Sequence, residues 1–156
     1  MKRLSSAFAG LLLVGVVTSS QANAGFGLAG SLGAGVFVKD DTANRTSFNL
    51  EIIPFYKIGI VSLDLGIVVD FEEMRQQGRH FSFRPGVRVD FFALYARAAI
   101  PLRVNEGGDL GVLLGLGVRI PAGPIGVFLE ADVNFSRELG FSVVPLEVRA
   151  GVQFSF

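Results

Sequence analysis

The feature that most constrains this chain is a strict alternation of apolar residues with polar or small ones, repeated along most of its length. Eight such segments follow one another between Phe26 and Phe156, separated by stretches of turn-forming residues. In the fourth segment, every second residue from Phe81 to Val89 is apolar, and the residues between them are polar, charged or glycine. A period of two is typical of β-strands and excludes the 3.6-residue stripe of an amphipathic helix. The sequence therefore predicts an all-β protein.

The two faces of these segments differ in a way that indicates which one points outward. The apolar face carries no charged residue, whereas the other face combines charged residues with many glycines. An eight-stranded barrel has an interior only wide enough to be filled by side chains, so it cannot enclose all the Leu, Val, Ile and Phe of the apolar face. We therefore expect an eight-stranded antiparallel up-and-down transmembrane β-barrel, with the apolar face in lipid and the charged face in the lumen.

The connections between segments fall into two alternating classes. Those at residues 39–45, 71–79, 105–109 and 136–140 are polar and longer, and those near residues 57–59, 90–92 and 121–124 are tight. Tight turns at one end of a barrel and longer loops at the other are typical of outer-membrane barrels, in which the turns face the periplasm. Both termini are expected on the side of the tight turns, and thus in the periplasm.

The amino-terminal residues have the pattern of a secretory signal peptide. A basic start, Lys2-Arg3, precedes an uncharged apolar run from Ala7 to Val17, which is shorter than the ~20 residues needed to span a bilayer. Ala22 and Ala24 occupy the small-residue positions of a cleavage site. We expect residues 1–24 to be removed and residues 25–156 to form one barrel domain. The chain has no cysteine, which excludes a lipoprotein anchor, disulfides and thiolate metal sites.

The last eight residues resemble the signal by which the barrel-assembly machinery recognises its substrates. Arg149 fills the polar position of that pattern, Gly151 the glycine position, and Phe154 and Phe156 the apolar and aromatic positions. The resemblance implies export through the secretory pathway, periplasmic chaperones and the assembly machinery as partners during biogenesis, and the outer membrane of a Gram-negative cell as the destination.

Charge balance excludes one further class of partner. The chain has 14 basic and 14 acidic residues, and removal of Lys2 and Arg3 would leave 12 against 14. No polybasic surface for nucleic acid is indicated.

The lumen is expected to hold most of the charged residues of the strands. By strand parity it receives these thirteen: Arg84, Arg88, Arg97, Arg103, Arg119, Arg149, Glu51, Asp64, Asp70, Asp90, Glu130, Asp132 and Glu147. Position along each strand places seven of them near mid-height: Glu51, Asp64, Arg84, Arg97, Glu130, Glu147 and Arg149. Charges in a narrow, poorly solvated tube must pair, because a buried unpaired charge is strongly destabilising. We expect these residues to form a salt-bridged network that closes the lumen.

Two motifs suggest other chemistry. Residues 25–30 read G-x-G-x-x-G, but the phosphate-binding version of this motif lies between a strand and a helix. His80 and Ser82 resemble the His-x-Ser pair of outer-membrane lipid A deacylases, yet strand parity directs both toward the lumen rather than toward lipid. A single histidine without cysteine makes no metal site of recognisable spacing. We expect no catalytic residue, no cofactor and no metal.

Over its full mature length the chain resembles the small eight-stranded outer-membrane barrels, the group that includes the OmpA transmembrane domain and OmpX-like proteins. The resemblance implies a monomer surrounded by outer-membrane lipids, including lipopolysaccharide. It carries over no catalytic residue. Three functions are compatible with these features: a structural or interaction role, which we favour, a narrow gated pore, and a lipid A-modifying enzyme.

Overall fold

The computed structural model describes residues 24–39, 42–45, 48–71, 81–103, 111–136 and 145–156. Within these ranges no helix is long and apolar enough to cross a membrane. The described residues form ten strands: β1 Gly25–Lys39, β2 Thr42–Arg45, β3 Asn49–Ile58, β4 Val61–Asp70, β5 Phe81–Phe91, β6 Leu94–Ala99, β7 Leu102–Arg103, β8 Gly111–Ala122, β9 Ile125–Ser136 and β10 Leu146–Ser155.

The ten strands occupy eight strand positions of one closed antiparallel barrel, and we call each of these positions a stave. Strands β2 and β3 both pair with β1, and β6 and β7 both pair with β5, so each couple makes one interrupted stave. The last strand returns to the first, and the β1–β10 ladder runs from Gly27 opposite Ser155 to Val36 opposite Leu146. This ladder closes the sheet and leaves neither terminal strand as an open edge. The eight-stranded up-and-down barrel predicted from the sequence is confirmed.

Proline explains the interruption between β6 and β7. Pro101 has no backbone N–H to donate to a neighbouring strand, so the regular ladder stops beside it. The register with β5 is nevertheless kept, because the Ile100 amide donates to the Pro85 carbonyl at 2.9 Å.

The prediction of a polar loop at residues 39–45 was wrong. Thr42–Arg45 is a strand, and it pairs with the end of β1 from Val36 opposite Arg45 to Lys39 opposite Thr42. The first segment was expected to end at Val38, but the returning strand begins earlier than expected, because backbone hydrogen bonds continue the antiparallel ladder opposite residues 36–39. The other longer connections lie largely outside the described residues, at residues 72–80, 104–110 and 137–144.

Three two-residue turns lie at the end of the barrel that also holds Gly25 and Phe156, which we call the turn-side end. They are Gly59–Ile60, Phe92–Ala93 and Gly123–Pro124. Gly59 and Gly123 have φ values of 61° and 67°, and Phe92 has a φ of 60°. Such left-handed residues match the twist of a tight hairpin, and glycine adopts them without steric cost. The turns lie close to the predicted positions, and β3 extends to Ile58.

The barrel carries its apolar residues outside and its charged residues inside. Strand β8 alternates between buried and exposed residues along ten successive positions from Gly111 to Ile120. Leu116 on its outer face is 71% exposed, whereas Arg149 on the inner face of β10 is fully buried. This distribution is the reverse of that of a water-soluble protein, and it directs the chemistry of the molecule into the lumen.

Candidate functional site

The lumen contains an ion-pair network that we call the mid-barrel network. Its members are Glu51, Asp64, Arg84, Arg97, Glu130, Asp132, Glu147 and Arg149, and each of them is at most 9% exposed. They come from six of the eight staves, since successive inward positions of neighbouring strands bring their side chains together. All seven residues predicted near mid-height belong to it, and the structure joins them by direct contacts.

Arg97 links three staves through a single guanidinium group. Its Nη2 lies 3.0 Å from Glu51 Oε1 and 3.0 Å from Asp64 Oδ1. Its Nε donates to Asp64 Oδ2 at 3.2 Å, and Nη1 lies 3.5 Å from Glu130 Oε1. A planar guanidinium with five donors suits this position, because it can hold several carboxylates in fixed directions at once.

Arg149 makes the largest set of contacts in the network. Its Nη1 is in direct contact with Glu51 Oε2, and its Nη2 lies 2.8 Å from Asp132 Oδ2. Its Nε donates to Glu147 Oε1 at 3.1 Å, and Glu130 Oε1 lies 3.7 Å from Nη1. Arg149 therefore connects the walls formed by β3, β9 and β10 across the interior of the barrel.

Arg84 completes the ring of cations around Glu51. Its Nη1 donates to Glu51 Oε2 at 3.4 Å, and its Nη2 lies 3.7 Å from Glu147 Oε2. Glu51 thus contacts three arginines. Asn49, which the sequence analysis did not assign to a site, donates through Nδ2 to Glu147 Oε1 at 2.7 Å. Strand parity alone would have placed Asn49 in the lumen, since it lies two residues from Glu51.

Asp132 was expected in the lumen but not among the mid-height residues. The structure pairs it with Glu147 across β9 and β10 and brings it against Arg149. Parity indicates which face a residue occupies, but the height of its charged group also depends on the stagger between strands and on side-chain direction. With Asp132 included, the network has three arginines and five carboxylates.

Glycines on neighbouring strands provide the space for these side chains. A Cβ atom added at Gly66 would collide with the Glu51 carboxylate, and one added at Gly115 would collide with Asp132. The network can therefore form only because the facing positions carry no side chain. This explains why the inner face of so short a chain contains so many glycines.

An apolar layer lies between the mid-barrel network and the turn-side end. Its members are Ala29, Ile53, Phe55, Tyr95 and Phe128. The rings of Tyr95 and Phe128 meet edge to face with centroids 6.4 Å apart. Each aromatic ring of the layer lies against a glycine of an adjacent strand, Tyr95 against Gly117, Phe55 against Gly27 and Phe128 against Gly151. The sequence analysis named only charged, polar and glycine residues in the lumen, although strand parity also places Phe55, Tyr95 and Phe128 there.

A second polar group, which we call the mouth cluster, lies on the turn-side end of this layer. Its members are Lys57, Arg88, Asp90, Arg119 and Gln153. Asp90 Oδ2 lies 2.7 Å from Lys57 Nζ and 2.8 Å from Arg119 Nη2. Arg119 also donates through Nη1 to Gln153 Oε1 at 3.3 Å, and Arg88 Nε lies 4.0 Å from Asp90 Oδ1.

The remaining predicted positions are distributed as follows. Asp70 lies half-exposed at the opposite end of the barrel, where it pairs with Asn49, and the Arg103 side chain lies outside the described residues. Phe154 and Phe156 are exposed on the outer surface, whereas Gly151 underlies Phe128. Ala24 directly precedes β1, and Ala22 lies outside the described residues.

The alternative catalytic pair is only partly described. Ser82 lies on β5 opposite Val68, half-buried, and His80 lies outside the described residues. Among the residues with described positions, no group of three or more His, Asp or Glu is arranged to hold a metal ion.

Comparison with known proteins supports the fold. No family model matches the chain, and no curated protein matches it. The crystal structure of Neisserial surface protein A (NspA) is similar, with a TM-score of 0.57 and 14% identity, and the match covers 84% of this chain and 97% of that one. A designed transmembrane β-barrel is also similar, with a TM-score of 0.54, 13% identity, and coverage of 88% and 99%. At these identities the likeness is one of fold, and that fold is the small eight-stranded transmembrane β-barrel.

Proposed function

We propose that this chain is an integral outer-membrane β-barrel protein with a structural or interaction role, and that a salt-bridge network closes its lumen. One observation carries the proposal: two fully enclosed guanidinium groups, those of Arg97 and Arg149, bridge carboxylates from opposite walls of the barrel. The groups that would line a pore are thus bound to one another. The interior of an eight-stranded barrel has no room for a water column beside them.

The location in a bacterial outer membrane is supported by three features that do not depend on one another. The outer surface is apolar along all staves, the fold is shared with NspA, and the last eight residues resemble the barrel-insertion signal. In this proposal residues 1–24 are cleaved and both termini face the periplasm, as in the OmpA and OmpX-like barrels that the sequence resembles. The partners are lipids, including lipopolysaccharide, with chaperones and the assembly machinery during biogenesis, and the barrel is a monomer without enzymatic activity.

A second candidate function is a narrow gated pore, which the composition of the mid-barrel network favours. Five carboxylates face three arginines, so a network that opened would leave an acidic constriction. Rings of carboxylates in a pore select cations. The pore proposal therefore predicts cation preference, whereas the closed-lumen proposal predicts no conductance.

The location is tested by fractionation of cells that express the full chain. We expect a heat-modifiable gel band in the outer-membrane fraction and an amino-terminus at Gly25. Deletion of Phe156 should leave export intact but reduce the outer-membrane yield strongly, whereas Phe154→Leu, which keeps an apolar side chain on the outer surface, serves as the control. An unchanged yield after deletion of Phe156, or retention of Met1 in the inserted protein, would contradict the proposed targeting.

A further inference from the structure

The mouth cluster carries more positive charge than its own carboxylate can balance. Lys57, Arg88 and Arg119 all approach Asp90, which is the one acidic residue of the cluster as defined above. Arg88 and Arg119 are 2% and 9% exposed, so bulk water does not solvate their charges. A buried charge without a counter-ion is strongly destabilising, which means that such a group normally pairs with a ligand when the chain supplies no partner.

Arg88 is the least exposed of these cations and the one farthest from the Asp90 carboxylate. Its guanidinium lies over the Phe55 ring at 4.9 Å and over the Tyr95 ring at 5.4 Å. Among the residues that the structure describes, neither its Nε nor its Nη2 has a hydrogen-bond partner. The aromatic rings hold the charge in place by cation–π contact, but they do not neutralise it. Arg88 therefore adds a fixed positive potential beneath Lys57 and Arg119.

The cluster opens into a cavity at the turn-side end of the barrel. The cavity has a volume of about 260 Å³ and is lined by Lys57, Asp90, Arg119 and Gln153, together with residues of the three tight turns. It is smaller than the 300–1,000 Å³ that is typical of sites for drug-sized ligands, which indicates a small polar ligand. Lys57, whose side chain is 33% exposed, lies where a ligand from solution or from the membrane interface would enter.

The geometry points to a binding site for a phosphate group in this cavity. We propose that Lys57 and Arg119 bind the phosphate oxygens directly, and that Arg88 favours the anion through its charge. Ammonium and guanidinium groups form their strongest hydrogen bonds with phosphate and carboxylate oxygens, and arginine presents two parallel donors to such oxygens. Asp90 holds both cations in position while the site is empty, and it competes with the ligand for them.

The phosphate group has two possible sources. One is a free phosphate or phosphate ester in solution, and the other is the headgroup of a phospholipid that surrounds the barrel, which would reach the turn-side mouth at the membrane interface. The site itself does not rest on the structural role proposed above. Only the lipid source rests on the membrane location, so the two proposals can fail independently.

The first experiment measures inorganic phosphate binding to the folded full chain in an uncharged sugar detergent by ³¹P NMR titration. We expect saturable binding by the wild type and at least about tenfold weaker binding by the double variant Lys57→Gln/Arg119→Gln, because both direct ligands lose their charge. The matched control Lys57→Arg keeps both charges and the paired donors of Arg119, and it should remain within about threefold of the wild type. Asp90→Asn should bind phosphate more tightly than the wild type, since the competing carboxylate is neutral.

The second experiment distinguishes the two sources by native mass spectrometry with phosphatidylglycerol added to the same detergent. Retention of this lipid by the wild type but not by Lys57→Gln/Arg119→Gln would assign the site to a lipid headgroup, and phosphate binding without lipid retention would assign it to a soluble ligand. The heat-modifiable gel band confirms that each variant is folded. Equal binding of both probes by the wild type and the neutral double variant would overturn the proposal. So would an equal loss in the charge-conserving control.

Discussion

The mid-barrel network and the mouth cluster are built by the same sequence rule but have opposite charge. The network combines three arginines with five carboxylates, whereas the mouth cluster combines two arginines and one lysine with a single aspartate. In the network each arginine contacts at least two carboxylates, so the cations are saturated. In the mouth cluster the three cations share one carboxylate.

The apolar layer keeps these two regions apart. Phe55, Tyr95 and Phe128 occupy the lumen between them, and each ring lies against a glycine. Charged lumen residues within one barrel thus have two different environments. In the saturated region the charges bind one another across the barrel, and in the unsaturated region we propose that they are available to a ligand.

The largest expected effect comes from removing the cations of the mid-barrel network. Replacement of Arg84, Arg97 and Arg149 together with Ser leaves five buried carboxylates without counter-ions. Breaking even one buried pair costs about 3–5 kcal/mol, which approaches the whole stability of a typical domain. We expect almost no heat-modifiable folded band after refolding into lipid vesicles, and a cation-preferring leak from any fraction that folds.

The matched comparison is the neutral mouth variant Lys57→Gln/Arg119→Gln, which also removes cations from the lumen. Because it acts on a region with excess positive charge, it should still refold and should not leak. Efficient folding of the triple Ser variant would show that the network does not hold the barrel together.

A single substitution in each region tests whether the two regions contribute differently to the free energy of unfolding. Glu51→Gln weakens contacts with three buried arginines, and we expect it to lower the free energy of unfolding by about 3–5 kcal/mol. Lys57→Gln acts on a side chain that is one-third exposed and reduces the excess of cations in the mouth cluster, so we expect a loss of at most about 1 kcal/mol. Urea unfolding in lipid vesicles, monitored by circular dichroism of the backbone, measures both losses in the free energy of unfolding. Equal losses would remove the energetic distinction between the regions.

A smaller effect than that of Glu51→Gln is expected in the apolar layer that separates the regions. Gly117→Ala places a Cβ against the Tyr95 ring, and we expect it to lower the free energy of unfolding by about 1–3 kcal/mol. Gly30→Ala is the control, because an added Cβ there meets nothing within 4 Å and faces outward. The same urea unfolding experiment should detect at most a few tenths of a kcal/mol for it. A comparable loss in both variants would mean that strand propensity rather than ring packing determines the result.

Much of the fold follows from the sequence because the side-chain period of a strand is two. Once one face is known to be apolar, the inward position of residues such as Glu51 and Arg149 is determined, and the tight turns fix which strands are neighbours. The height of a charged group is not determined in this way. Asp132 joined the mid-barrel network because strand stagger brings it against Arg149, and no periodicity indicates stagger.

Other features were missed for local reasons. Pro54 interrupts the polar and apolar pattern of β3, which concealed the inward direction of Ile53 and Phe55. Strand β2 was predicted as a loop because Thr42–Arg45 is polar, although its pairing with β1 depends on backbone hydrogen bonds and not on side chains. The charge separation between the two lumen regions depends on the height of each side chain, whereas strand parity indicates only the total charge of the inner face.

The most direct test of a lumen closed by the mid-barrel network is single-channel recording of the purified wild-type barrel in a planar lipid bilayer. Arg97 and Arg149 bridge the walls at a height where the interior is filled by side chains, so we expect negligible steady conductance at moderate voltage. Insertion is verified beforehand by the heat-modifiable band. A stable, large-conductance open state of the well-folded protein would contradict the account, because it would mean that these charges line a water-filled path.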